Sequence, residues 1–431
     1  MLDSPTPAES KPGSPAAVPT GETVGPGGLI GQYAVLFIAD MCSRGLRFLA
    51  DVILFRHFGP QVFGQLNLAQ FLAMHGMCVG TCGLDSIGCR DVAAKACPAP
   101  TLATTIVALR LGLGLIAWGS VAAVTLLVPQ YRTSIQLTAL YGLSIVSGAL
   151  TIGWVAQGRG QIQVFGLATL ATHIGYFCGV ELTTWAGWPP IGVPLVLVLS
   201  ELLTAAGLWI WMLWIVGPAA RPLPVGAALT LLRESLPIGG ANYLRLLTFG
   251  SDVLLLGLFV SDVELGQYSV GFKLYSVGSS VLAVFLSAML LPQLATQSTL
   301  GMARFRSTLY ANLGKSLAVV APGAVIGSLL AARILPLLFT RAADAAIAIC
   351  QVLLLALPAN LVAGHFRVAL VALGRQRLDM RLVAAGAAIH VAAKLALIPL
   401  YGMIGAAWGT LLGETALMLL AWQACRTSLR E

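Results

Sequence analysis

The sequence has 431 residues, 58% hydrophobic and only 10% charged, with a formal net charge of +8. An average soluble domain carries roughly 25% charged residues, and a globule of this size needs a polar surface that this chain cannot supply. The composition therefore excludes a soluble protein, and the basic balance has to be explained by where the charges fall.

Residues 1–28 hold six prolines and five glycines and have no apolar centre. They read as a disordered tail, because a signal peptide needs a charged start and a hydrophobic core. Twelve apolar runs follow, at 30–55, 64–88, 103–128, 135–157, 162–186, 191–216, 236–260, 267–291, 312–338, 346–372, 380–400 and 403–424. A helix needs about 20 apolar residues to cross a bilayer. Period-2 alternation is absent, which argues against a membrane β-barrel. The expected fold is an all-α polytopic membrane protein of about twelve transmembrane helices in two six-helix bundles. Its expected parts are a cytoplasmic tail at 1–28, a bundle at 29–216, a linker at 217–235 with a short amphipathic surface helix, a bundle at 236–425, and a tail at 426–431.

Lys and Arg outside the runs, or at their mouths as Lys315 and Arg381 are, divide unevenly. With the N-terminus in the cytoplasm, that side receives Lys11, Arg90, Lys95, Arg159, Arg221, Arg233, Arg304, Arg306, Lys315, Arg375, Arg377, Arg381, Arg426 and Arg430, against Arg56, Arg132 and Arg341 on the other. Such a bias places both termini in the cytoplasm. The positive charge is thus a topology signal rather than a nucleic-acid footprint.

The first run carries Asp40, Arg44, Arg47 and Asp51 at helical spacing, in a stripe about 16 Å long on one face. An ionised side chain at mid-bilayer costs about 2.5–3.5 kcal/mol, so the stripe should line a hydrated cleft. Pairing of Asp40 with Arg44 and of Asp51 with Arg47 is expected within it. Asp85 closes the second run. The seventh repeats the pattern with Arg245 and Asp252 around Thr248, and Lys273 enters the eighth. Weaker candidates are Arg110, His173, Glu181, Glu201, Arg333, His365, Arg367, His390, Lys394 and Glu414, with His390 and Lys394 one turn apart and His173 read as a hydrogen-bonded packing residue. The eight cysteines lie mostly within runs and lack zinc spacing. Pro358-Ala359-Asn360 could break its helix, and Gly405, Gly409 and Gly413 would let helices approach closely. No metal, cofactor or covalent catalytic arrangement is expected.

Residues 43–69 and 243–271 resemble one another, each with Arg then Asp seven residues on and a Gly-Gln pair at the next helix, Gly64-Gln65 and Gly266-Gln267. Six runs separate the copies, which makes this a parallel repeat with the substrate path between halves.

Four stretches carry a family resemblance: SRGLRFLADVILFRHFGPQVFGQL, GLDSIGCRDVA, SDVLLLGLFVSDVELGQYSVGFKLYSV and LIPLYGMIGAAWGTLLGE. They resemble the Wzx-type polysaccharide and O-antigen flippases, the polysaccharide branch of the multidrug/oligosaccharidyl-lipid/polysaccharide (MOP) exporter superfamily. The resemblance implies a non-enzymatic flippase of the bacterial inner membrane. It would move undecaprenyl-diphosphate-linked oligosaccharide repeat units to the outer leaflet by alternating access. The implied partners are the lipid-linked oligosaccharide, the membrane, and a polysaccharide polymerase with its chain-length machinery. Arg44, Arg47, Arg245 and Lys273 would hold the diphosphate, since Arg forks match phosphate oxygens. Asp40, Asp51, Asp85 and Asp252 would form charge pairs, and Asp51 and Asp252 are candidate carriers of a coupling proton or sodium ion. Related lipid II flippases also place Arg and Asp in a first helix, but Ala50 stands here where such proteins tend to carry Arg. The alternatives are a cation-coupled multidrug exporter of the same fold and a membrane-embedded glycan polymerase or ligase. The exporter's cavity should be acidic, whereas the runs, leaving aside Lys315 and Arg381 at their mouths, hold 8 basic residues against 7 acidic ones. The enzyme would need a large outer loop, for which the runs leave no room.

Overall fold

The apolar runs fold as helices because a backbone inside lipid must satisfy its own polar groups. A computed structural model describes residues 26–218, 220–340 and 344–429. Most of the N-terminal tail, with Lys11, and also Arg341 and Arg430 lie outside the described residues. Helix starts at Pro26, inside the segment expected to be disordered.

Pro26–Thr81 is helical except at Gly59, whose φ of 77° is open to glycine at little cost. The chain folds back there into α1 (26–58) and α2 (60–81). Phe55 and Phe63, on the two limbs, meet edge to face at 5.4 Å. In one straight helix those eight residues would span about 12 Å. A short helix, Leu84–Ala93, continues α2 beyond Gly83. The first half is completed by α3 (Ala99–Leu127), α4 (Pro129–Gly158), α5 (Ile162–Trp185) and α6 (Gly192–Ile215). The second half begins with α7 (Val225–Phe259), followed by α8 (Asp262–Leu300), α9 (Met302–Leu338) and α10 (Asp344–Ala372). Gln376–Ser428 is broken at Gly402 (φ 58°) into α11 (376–401) and α12 (403–428). The described residues contain no strand.

The expected linker differs in form. Its second part, 225–235, is the first turns of α7 rather than a separate surface helix. The break expected at Pro358 falls just before it, at Ala356, where Pro358 can occupy the first turn of the continuing helix.

Eight of the helical stretches are long and apolar enough to cross a membrane. Pro26–Thr81 and α7 are absent from that set. Both carry charged and polar residues, the α1 stripe in the first and Arg233, Glu234, Arg245 and Asp252 in the second. The outer surface is strongly apolar, with Trp185 86% and Trp214 84% exposed at helix ends, where interfacial tryptophans concentrate. The chain is a multi-pass membrane protein.

The two halves meet along two seams. Antiparallel α2 and α7 pack along their length, Leu68 near Gly257, Phe71 near Gly250, and Cys82 against Gly239. The exposed Arg90–Glu234 pair (2.9 Å) closes the end of this seam on the face carrying both described ends of the chain. On the opposite face the two Gly-Gln landmarks interlock. A side chain on Gly64 would strike the Asp262 carbonyl, and one on Gly266 the Pro60 carbonyl. Gln65 donates to Asp262 at 2.8 Å. Arg56 donates to the carbonyls of Leu337 and Leu338 at the end of α9, and Tyr131 to that of Leu254 at 2.7 Å. Phe339 stacks edge-on against Phe55 at 5.4 Å.

Reporter fusions after Arg221 and after Arg377 should give the same signal, and a fusion within 261–265 the opposite one. A shared signal at all three sites would contradict this helix order.

Candidate functional site

Beneath the closed face lies a cavity of about 510 Å³ between the halves. The first half supplies Asp40, Arg44, Arg47 and Asp51 from α1, Gln70 and Met74 from α2, Tyr141 from α4, His173 from α5 and Glu201 from α6. The second half supplies Phe249 from α7, and Phe272, Lys273, Ser276 and Ser280 from α8. The α1 stripe therefore lines a cleft, as its cost in lipid requires.

The cleft is graded in depth. Asp40 and Arg44 pair at 2.8 Å near the mouth, with about a third of each side chain exposed. At the floor, Asp51 of α1 pairs with Lys273 of α8 at 2.7 Å, with side chains 6% and 14% exposed. The expected Asp51–Arg47 pair does not form, because Lys273 reaches Asp51 from the other half. Arg47 instead lies over the Tyr176 ring, 5.1 Å from its centroid, a cation–π placement. Asp51, Tyr141 and Glu201 are its electrostatic neighbours. Among the described residues no carboxylate forms an ion pair with Arg47. Ser147 donates to Glu201, and His173 bonds the Thr169 carbonyl at 2.8 Å.

Three candidates lie elsewhere. Arg245 does not line the cavity and is exposed. It sits one turn from Phe249 on the same face of α7, toward the face carrying the chain ends. Asp85 pairs with Arg110 at 2.9 Å, and Arg110 also donates to the carbonyls of Gly148 and Thr151, which ties the short helix Leu84–Ala93 to α3 and α4. Asp252 is 1% exposed within the second half. Its partner is Lys394 of α11, not Arg245. Tyr268 and Thr410 donate to its other oxygen, and Lys394 also bonds Ser251 at 3.2 Å. Both oxygens of Asp252 thus have partners within its own half.

The glycine stripe of α12 explains how Lys394 fits. A Cβ at Gly409 would lie 2.8 Å from the Lys394 side chain, and one at Gly413 2.5 Å from the His390 ring. The small residues make room for a polar face of α11. Close by, Asn360 donates to Glu414 at 3.1 Å and Tyr275 does so at 3.3 Å. The one-turn spacing of His390 and Lys394 was the sequence signal for this cluster. No sequence signal pointed to Tyr176 or Tyr141. Of the other weaker candidates, Arg367 pairs with Asp379 at 2.8 Å, and Arg333 and Glu181 are exposed. The cysteines are free, and the described residues hold no cluster of three or more His, Cys, Asp or Glu side chains placed to bind a metal.

Lys394→Met should leave Asp252 buried without its countercharge and destabilise the protein by about 3–5 kcal/mol. The double variant Asp252→Leu/Lys394→Met should regain most of that loss. Unfolding in detergent micelles measures both.

The profile of one family, described as polysaccharide biosynthesis protein, matches residues 30–297. Among solved structures, the lipid II flippase MurJ in its inward closed conformation matches with a TM-score of 0.76 and 14% identity, over 91% of this chain and 87% of that one. A multidrug resistance MATE family transporter of the MOP superfamily matches in its inward-facing conformation with 0.74 and 14% identity, over 93% and 98%. An outward-facing MATE conformation matches less well, at 0.61 with 15% identity, over 93% and 95%. These likenesses establish the fold. Among curated proteins, none matches the chain in sequence.

Proposed function

This chain belongs to the polysaccharide biosynthesis protein family, and we propose that it flips undecaprenyl-diphosphate-linked oligosaccharide repeat units across the bacterial inner membrane. The observation that carries this reading is a cleft between the halves with Arg44, Arg47 and Lys273 on its wall, in an otherwise apolar chain. A lipid diphosphate is a multiply charged anion, and a guanidinium fork binds two of its oxygens at once. Arg47 is the first ligand, because it has no carboxylate to give up. Arg44 and Lys273 follow by exchanging Asp40 and Asp51 for phosphate. Arg245 stands at the mouth, where it meets the headgroup before the floor does. The sugar crosses in the hydrated cleft while the polyprenyl tail stays in lipid.

Direction follows from topology. The Lys and Arg bias places both chain ends in the cytoplasm, so the cleft faces the side where such repeat units are assembled. The better fit to inward than to outward conformations agrees with this. Alternating access then requires the interlocked Gly64 and Gly266 region to part. Released units would pass to a polymerase with its chain-length machinery.

The cleft is not strongly cationic, since Asp40, Asp51 and Glu201 offset its three cations. Substitution at the free fork therefore discriminates best. Arg47→Lys should lower glycan export several-fold, and Arg47→Ala should abolish it, with lipid-linked units accumulating in the inner leaflet at unchanged membrane protein levels. Full export by Arg47→Ala would instead favour a drug exporter of the same fold.

A further inference from the structure

The two halves offer equivalent aspartates with different partners. Asp252 is held by Lys394, Tyr268 and Thr410, all from its own half. Asp51 is held by Lys273 from the other half, at the cavity floor and just below the closed face. A pair inside one rigid half can persist through a transport cycle. A pair across the two halves must break when they separate at that level.

Breaking it unaided would be costly. Removing one partner from a buried pair leaves an uncompensated charge, whose burial is strongly unfavourable. The break needs a replacement anion for Lys273, which only the cavity can admit. We infer that Asp51 is a placeholder for substrate phosphate: the diphosphate takes Lys273 from Asp51, and this exchange frees α1 from α8 at the cleft floor and unlocks the closed face. This rests on the diphosphate reading above. It also makes Asp51 a specificity-determining residue. A neutral or cationic compound in the cleft cannot replace the carboxylate, so it leaves the halves locked.

Arg47 lies one turn from Asp51 on the same face of α1. Once Lys273 turns to phosphate, Arg47 can keep the diphosphate on part of its five N–H donors and offer the rest to the released carboxylate. The Asp51–Arg47 pair that sequence spacing alone suggested belongs, on this view, to the unlocked state.

Full-length protein in lipid nanodiscs tests this. Undecaprenyl diphosphate added to the wild type should raise amide hydrogen exchange over 58–66 and 260–267, which form the closed face. Asp51→Asn should bind that lipid about tenfold more tightly, because Lys273 is unoccupied, yet transport less. Asp51→Glu keeps a carboxylate in reach and should bind as the wild type does. If the lipid binds the wild type but exchange in both segments is unchanged, or Asp51→Asn binds no more tightly, the placeholder role is overturned. If the lipid fails to bind the wild type above a phospholipid background, the diphosphate reading itself falls. Inorganic pyrophosphate serves as the tail-free arm. A response to it with none to the lipid would keep the exchange but assign the site to a soluble anion.

Discussion

An ionised side chain in a bilayer must find water or a countercharge, and the whole arrangement of this protein follows from that requirement. The four charges of α1 cannot face lipid, so that face of α1 turns inward, while Phe37, Ile38 and Leu49 on its other side stay exposed. The same cost draws Lys394 and Asp252 together in the second half. It also explains the glycines of α12, since only a surface without side chains leaves room for a lysine and a histidine beside it. A glycine stripe that looks like simple helix packing is thus part of the electrostatic design.

The seams between the halves are unequal. The α2–α7 seam is built from aromatic and aliphatic contacts along most of its length, with a close backbone approach of Gly239 to Cys82 and the exposed Arg90–Glu234 ion pair at one end. The contact on the closed face relies on backbone-to-backbone approach at Gly64 and Gly266, a few directional hydrogen bonds, and the Asp51–Lys273 pair below. Packed helices move by small sliding shears, whereas a contact held by a few directional bonds opens by losing them. This division suits an axis along α2 and α7 and a gate at the interlocked glycines.

The repeat between the halves organises the fold without making the halves chemically equal. Gly64 and Gly266 do equivalent work, each receiving the other half's backbone. Asp51 and Asp252 do not. The first shares its charge across the cleft, and the second is sealed by Lys394, a cation contributed by a helix of its own half. Pseudo-symmetry of position therefore coexists with asymmetry of function.

Much of this was legible in the sequence. Composition and run length established a helical multi-pass membrane protein, and the α1 stripe pointed to a cleft because no other environment tolerates it. The Asp40–Arg44 pair followed from spacing on one helix. What spacing could not reveal was any partner on a different helix. Asp51 found Lys273 rather than Arg47, Asp252 found Lys394 rather than Arg245, and Arg47 found the Tyr176 ring. Periodicity fixes which face of a helix is polar, but the identity of the group opposite depends on how the helices are rotated and set in depth against each other. Only the packed bundle decides that, because each charge takes the nearest countercharge in space, and nearness in space is a property of the assembled helices.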